Sequence, residues 1–266
     1  MKTRVISAIV ALAIFVPIFL IGGDLFNLAV YVIAILGLKE FLDIRETRKP
    51  FPNFVKFISY VMLTLIIFGN TMWDNMMVAL DIRIIAGLFL TFLIPAILYH
   101  DKKLFSMNDA FYLIGGIFFL GVSFAILLML RSTSLAYVIY LFLITIMTDT
   151  FAYNVGMLIG RNKLLESISP NKTWEGMVGG TVFGVFIATV YYHVVIDSLL
   201  PIYIVILMTL FLSILGQLGD LVFSAIKRYF GKKDFSNIMP GHGGVLDRLD
   251  SIIFVMLGFM FFISII

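Results

Sequence analysis

The chain has 266 residues, 61% of them hydrophobic and 13% charged, with a mean hydropathy of +1.08, values that exclude an ordinary soluble domain. A formal net charge of +3 spread over short loops argues against a nucleic-acid partner. The lack of cysteine excludes disulfides, thiol nucleophiles and Cys-based metal sites, and His100, His193 and His242 share no metal-ligand spacing.

A helix needs about 20 apolar residues to cross the hydrocarbon core, and about nine runs of that kind occur, at 5–21, 25–44, 54–72, 82–99, 110–130, 135–160, 176–196, 201–223 and 249–266. The expected fold is therefore all-α, a polytopic integral membrane protein. Of the 19 Lys and Arg, all but Arg83 and Arg131 fall on one side of such an arrangement. The positive-inside rule makes that side the cytoplasm, with the N-terminus inside, the C-terminus outside and the 216–250 loop cytoplasmic. Basic loops beside an anionic leaflet also suit an anionic lipid.

Met1-Lys2-Thr3-Arg4 and the run behind it read as a retained first helix rather than a cleaved signal. Residues 1–130 form an N-terminal scaffold of about five spans, and 131–266 a region of about four spans that carries the chemistry on its cytoplasmic side. Within the scaffold, Lys39-Glu40 reads as an interfacial pair, residues 45–54 with Pro50 and Pro52 as a basic surface loop, and Trp73-Asp74 and Tyr99-His100 as interfacial positions.

Polar residues first enter a span at 135–160, where Thr145, Thr148, Asp149, Thr150, Tyr153 and Asn154 interrupt the apolar run. Asp149, Tyr153, Gly156 and Gly160 share one helical face, which sets an acid and a phenol above glycines where a second helix can approach. The threonines also suit plain helix packing, whereas an intramembrane acid calls for a partner or a cation. Next comes Ser169-Pro170-Asn171-Lys172-Thr173-Trp174-Glu175-Gly176. Ser before Pro reads as an N-cap and first helical residue, a helix start whose free N–H groups could face phosphate beside Lys172. A capped start with Trp174 as a membrane-interface anchor fits equally well.

Charge, glycine and apolar residues are interleaved most densely at 216–250. If 216–228 is helical, Gln217, Asp220, Ser224 and Lys227 form one polar stripe, with Arg228 beside it. Asp247 and Asp250 stand three apart, so a helix beginning near Val245 points both carboxylates the same way, with Arg248 adjacent. Between these segments, Pro240-Gly241-His242-Gly243-Gly244 has three glycines free to take conformations closed to other residues, a loop shaped for a bulky anion. Acids together with Lys and Arg suit a polyphosphate carried with Mg²⁺.

Ser224, Lys227-Arg228, Lys233-Asp234, Pro240-Gly241-His242-Gly243-Gly244, Asp247-Arg248 and Asp250, in this order and spacing, resemble the signature of the phosphatidate cytidylyltransferases, also called CDP-diacylglycerol synthases. Met239, where a branched aliphatic or Phe is expected, is a mild departure. The Asp149 to Tyr153 and Ser169 to Gly176 segments also look like family motifs. The resemblance thus covers 149–250, while the first 130 residues are similar only in being a run of spans. It implies transfer of the cytidylyl group of CTP to phosphatidic acid in a cell inner (plasma) membrane, with CDP-diacylglycerol and pyrophosphate as products.

On that basis Asp220, Asp247 and Asp250 are expected to hold Mg²⁺, with Asp149 as an outer or second-cation carboxylate. Asp220, Lys227, Arg228, His242, Asp247 and Arg248 form the catalytic set. Tyr153, Ser169, Asn171, Lys172, Thr173, Ser224, Lys233, Gly241, Gly243 and Gly244 line the substrates, with Lys172, Lys227, Arg228, Lys233 and Arg248 on phosphates. His242 is either a general acid or loop packing. A homodimer and intramolecular packing both fit the glycine faces. An ion-coupled transporter and a lipid kinase, or a cytidylyltransferase for another lipid phosphate, are the alternatives.

Overall fold

The computed structural model describes residues 13, 15–69, 82–99, 104–196, 199–239, 241 and 243–262. Most of the first expected span, together with Trp73-Asp74, His100, Pro240 and His242, lies outside the described residues. The described part is almost wholly helical and divides into two units, one of residues 1–129 and 234–247, the other of 130–233 and 248–266.

The first unit contains α1 (Gly23–Glu46), α2 (Asn53–Gly69), α3 (Ile82–Leu98) and most of α4 (Met107–Thr133). Its core is built from α1 residues Phe26, Val30, Ala34 and Leu38 and α2 residues Leu63, Ile66 and Ile67, all buried. At the end of α1, Phe41 stacks on Tyr112 with ring centroids 4.3 Å apart, and the Tyr112 hydroxyl donates to the Phe41 carbonyl at 2.8 Å. The expected basic surface loop at 45–54 holds for Thr47, Arg48, Pro50, Asn53 and Phe54, which are exposed, but not for Arg45 and Phe51. Arg45 is buried, its Nε donates to Asp109 Oδ1 at 2.8 Å, its guanidinium also bonds the Lys49 carbonyl, and it lies 4.3 Å over the buried Phe51 ring. Only a planar, multi-donor cation meets all these partners at once.

The second unit contains α5 (Leu135–Ile159), a short antiparallel pair β1 (Lys163–Leu165) and β2 (Ser169–Thr173), α6 (Trp174–Tyr191) running into a π-helical turn Tyr192–Ile196, and α7 (Ile202–Tyr229). Most of α8 (Leu246–Phe259) also belongs to it. The strand pair corrects the reading of Ser169-Pro170 as a helix start. Thr173 is the N-cap of α6 and its Oγ1 accepts the Gly176 N–H at 3.1 Å. Pro170 sits in the strand, and the chain's side-chain cap lies three residues later.

Helices α5 and α6 approach so closely that a Cβ on Gly176 would stand 2.6 Å from the Ala152 carbonyl oxygen, and one on Gly180 2.5 Å from that of Thr148. Gly176, Gly180 and Gly184 recur every four residues, the small-residue stripe that lets membrane helices pack backbone to backbone. The glycine face is therefore spent inside one chain. Tyr140 and Thr209 share a hydrogen bond of 2.6 Å, Thr148 and Ser213 one of 2.8 Å, and Gln217 Nε2 donates to Thr181 Oγ1 at 2.8 Å. The span-six threonine Thr148 is thus packing glue.

Among the described residues, five helices are long and apolar enough to cross a membrane by length and composition: Gly23–Glu46, Met107–Thr133, Leu135–Ile159, Trp174–Ile196 and Ile202–Tyr229. Asn53–Gly69 and Ile82–Leu98 are shorter apolar helices.

Candidate active site

Helix α7 outlasts its apolar run and carries the polar stripe on its final turns. Asp220 Oδ2 pairs with Lys172 Nζ at 2.5 Å, joining β2 to α7, and Ser224 Oγ donates to Asp220 Oδ1 at 3.3 Å from the next turn. Lys227, one further turn along, is buried. Asp149 on α5 is accessible and accepts from Ser251 Oγ at 3.4 Å. Asp250, half-buried in the first turns of α8, accepts the Ser251 N–H at 2.9 Å.

These groups share one electrostatic neighbourhood. Asp220 is near enough to both Asp149 and Asp250 for like charges to repel, while Lys172 attracts Asp149 and Lys227 attracts Asp250. Three carboxylates beside two ammonium groups is a costly arrangement for apolar helices to carry without a charged ligand. Arg228 is tied down nearby, with Nε donating to the Ile168 carbonyl at 3.3 Å and Nη1 to that of Lys232 at 3.1 Å.

In the first unit, Met239 and Gly243 exchange backbone hydrogen bonds, with N–O distances of 2.9 and 3.2 Å. Gly241 and Gly243 have φ of 77° and 87°, backbone that requires glycine. Asp247 Oδ2 accepts the Phe235 N–H at 2.9 Å and the Gly244 N–H at 2.8 Å. In the loop expected to hold an anion, the Gly244 N–H is therefore already taken by the chain's own Asp247.

The model of the cytidylyltransferase family matches residues 2–266. This chain belongs to the cytidylyltransferase family. A phosphatidate cytidylyltransferase of Staphylococcus haemolyticus is 40% identical over 260 residues, covering 96% of both chains. Proteins of the same description from Staphylococcus saprophyticus and Staphylococcus aureus are 36% and 37% identical, again over 96% of each chain.

Of the residues expected from sequence, Asp149, Lys172, Asp220, Ser224, Lys227 and Asp250 gather in the second unit, while Gly241, Gly243, Gly244 and Asp247 belong to the first. Tyr153, Asn171, Lys233 and Arg248 are exposed, and Ser169 is half-buried in β2. Thr173 is committed to capping α6. His242 lies outside the described residues.

Glu40 is the residue that sequence reasoning missed. Far from being an interfacial partner of Lys39, it is 1% exposed and binds the turn before α8. The signal available was weak: an acid one turn inside an apolar run, which is costly unless paired.

Among the described residues, no three His, Asp or Glu converge as a ready-made ligand set. Mg²⁺ does not ask for one, since it keeps several waters, takes one or two carboxylates and fills the remainder with substrate phosphate oxygens. Mutually repelling acids of the kind at Asp149, Asp220 and Asp250 are the right donors for that hard cation.

Proposed function

We propose that this cytidylyltransferase moves the cytidylyl group of CTP onto phosphatidic acid, releasing pyrophosphate and leaving CDP-diacylglycerol in the membrane. The full-length match to the family and its phosphatidate cytidylyltransferases carries this reading. The acid and lysine cluster in apolar helices supports it, because the two substrates are a phosphate-bearing lipid and a triphosphate.

A phosphate oxygen of the lipid attacks the α-phosphorus of CTP in line, that new P–O bond forms, and the bond to the bridging oxygen of pyrophosphate breaks. The nucleophile is already an anion, so no strong general base is needed. The difficulty is bringing two anions together. Lys172 and Lys227, with Arg228, Lys233 and Arg248, are assigned to the phosphates. Asp220 and Asp250 would hold Mg²⁺, with Asp149 as the outer or second-cation carboxylate. Asp247 is the further acid one turn before Asp250 along α8. When bound, the cation neutralises polyphosphate charge and screens the leaving group.

The protein is assigned to the cell inner membrane with this site facing the cytoplasm, on the asymmetry of Lys and Arg among loops. Lysines beside each acid argue against a cation-conducting path. CTP labelled at the α- or γ-phosphate, incubated with purified protein, Mg²⁺ and phosphatidic acid in detergent, tests the reaction. Label in the lipid from α-labelled CTP alone is the expected result. Label from γ-labelled CTP would make the enzyme a kinase, and no lipid label with cation flux in vesicles would make it a transporter.

A further inference from the structure

Glu40, on α1, reaches residues some two hundred positions along the chain. Its Oε1 accepts the Ser236 hydroxyl at 2.6 Å and the Val245 N–H at 2.8 Å, and its Oε2 accepts the Leu246 N–H at 2.8 Å. Both oxygens are used, and the side chain is almost wholly enclosed. A carboxylate with charge-assisted bonds to both oxygens is held in a fixed orientation. It also explains Gly244, where a Cβ would stand 2.5 Å from Glu40 Oε1.

The first N–H groups of a helix are the donors normally offered to an anionic ligand. Here the Gly244 N–H goes to Asp247 and those of Val245 and Leu246 go to Glu40. Two carboxylates, one local and one from α1, thus grip three consecutive amides and decide where the glycine turn ends and where α8 begins. The signature acids Asp247 and Asp250 ride on that first stretch of α8.

We infer that Glu40 is a positioning residue for the reaction. By clamping the backbone at 244–246 it fixes where α8 begins and how Asp247 is presented on the first turn of that helix. Its catalytic side rests on the cytidylyltransferase reading above, whereas the clamp itself does not. Gln is not a conservative replacement, because its NH₂ must face one of the three donors.

The test uses the full-length protein in detergent, compared as wild type, Glu40→Gln and Glu40→Asp, by amide hydrogen exchange and by CTP kinetics. Glu40→Gln is expected to speed exchange at Val245 and Leu246 at least tenfold while α2 and α6 exchange as before. Its kcat/KM for CTP should fall at least tenfold, the KM for phosphatidic acid should stay within about twofold, and Glu40→Asp should recover part of both losses. Unchanged exchange would overturn the clamp, and faster exchange with wild-type CTP kinetics would overturn the positioning role. Should Glu40→Gln not fold, Ser236→Ala removes one donor while keeping the carboxylate. It is expected to move both readouts in the same direction by a smaller factor, and a wild-type result in both would sink the inference. A wild-type enzyme that fails to label lipid from CTP would remove the reaction but leave the exchange result standing.

Discussion

Lys172 Nζ lies 2.5 Å from Asp220 Oδ2, linking the strand pair that precedes α6 to the C-terminal part of α7. Both side chains are 27% exposed, so the pair itself contributes under about 1 kcal/mol to stability. On the proposed reading, its value lies in holding Lys172, assigned to phosphate, beside Asp220, assigned to the cation. Lys172→Ala and Asp220→Asn should each lower kcat/KM by about 10²-fold or more, the scale seen when one preorganised charge partner is removed. The swapped double variant, Lys172→Asp with Asp220→Lys, restores an ion pair but not turnover. Recovery of turnover in the swap would mean that the pair is only structural.

The α5–α6 contact makes a separate prediction about stability. Gly180→Ala places a methyl 2.5 Å from the Thr148 carbonyl oxygen and 2.7 Å from the Ala152 Cβ, so the helices must part. The cost is about 1–3 kcal/mol, read as a lower melting temperature in detergent. Gly115→Ala meets nothing within 4 Å and should leave the melting temperature unchanged or slightly raised. Equal effects of the two substitutions would show that α5 and α6 are not packed this closely.

Much of this architecture could be read from apolar run lengths. The sixth and eighth runs, 135–160 and 201–223, correspond to Leu135–Ile159 and Ile202–Tyr229, because a long, mainly apolar stretch leaves the backbone no partner but itself. The stripe Gln217, Asp220, Ser224 and Lys227 was equally legible, being helical spacing alone. The β1–β2 pair was not, since strands of three and five residues carry no usable period and Ser169-Pro170 imitates a helix cap. Nor was the clamp at Glu40, whose partners include two backbone N–H groups that leave no trace in residue identity. The burial of Arg45 was hidden for a related reason: its acid, Asp109, lies 64 residues away.

The less exposed pair of Arg45 and Asp109 supplies a contrasting case. Asp109 Oδ2 also accepts the Ser106 N–H at 3.0 Å while Ser106 Oγ accepts the Asp109 N–H at 3.3 Å, a reciprocal cap at the start of α4. Asp109→Ala removes the cap and leaves the Arg45 guanidinium without its acid, at a cost of roughly 3 kcal/mol. Thermal unfolding should report that loss, while the folded fraction keeps its KM for CTP within about twofold. A large rise in KM with no loss of stability would assign the pair to the substrate instead.

The account turns on whether the acids of α7 and α8 serve a divalent cation, and the direct measurement is Mg²⁺-dependent CTP turnover in Asp220→Asn and Asp250→Asn, with Asp24→Asn, an exposed acid outside the assigned set, as the control. The concentration of Mg²⁺ giving half-maximal rate should rise at least tenfold in both variants and stay at the wild-type value in the control. Wild-type Mg²⁺ dependence and turnover in both Asp220→Asn and Asp250→Asn would contradict it.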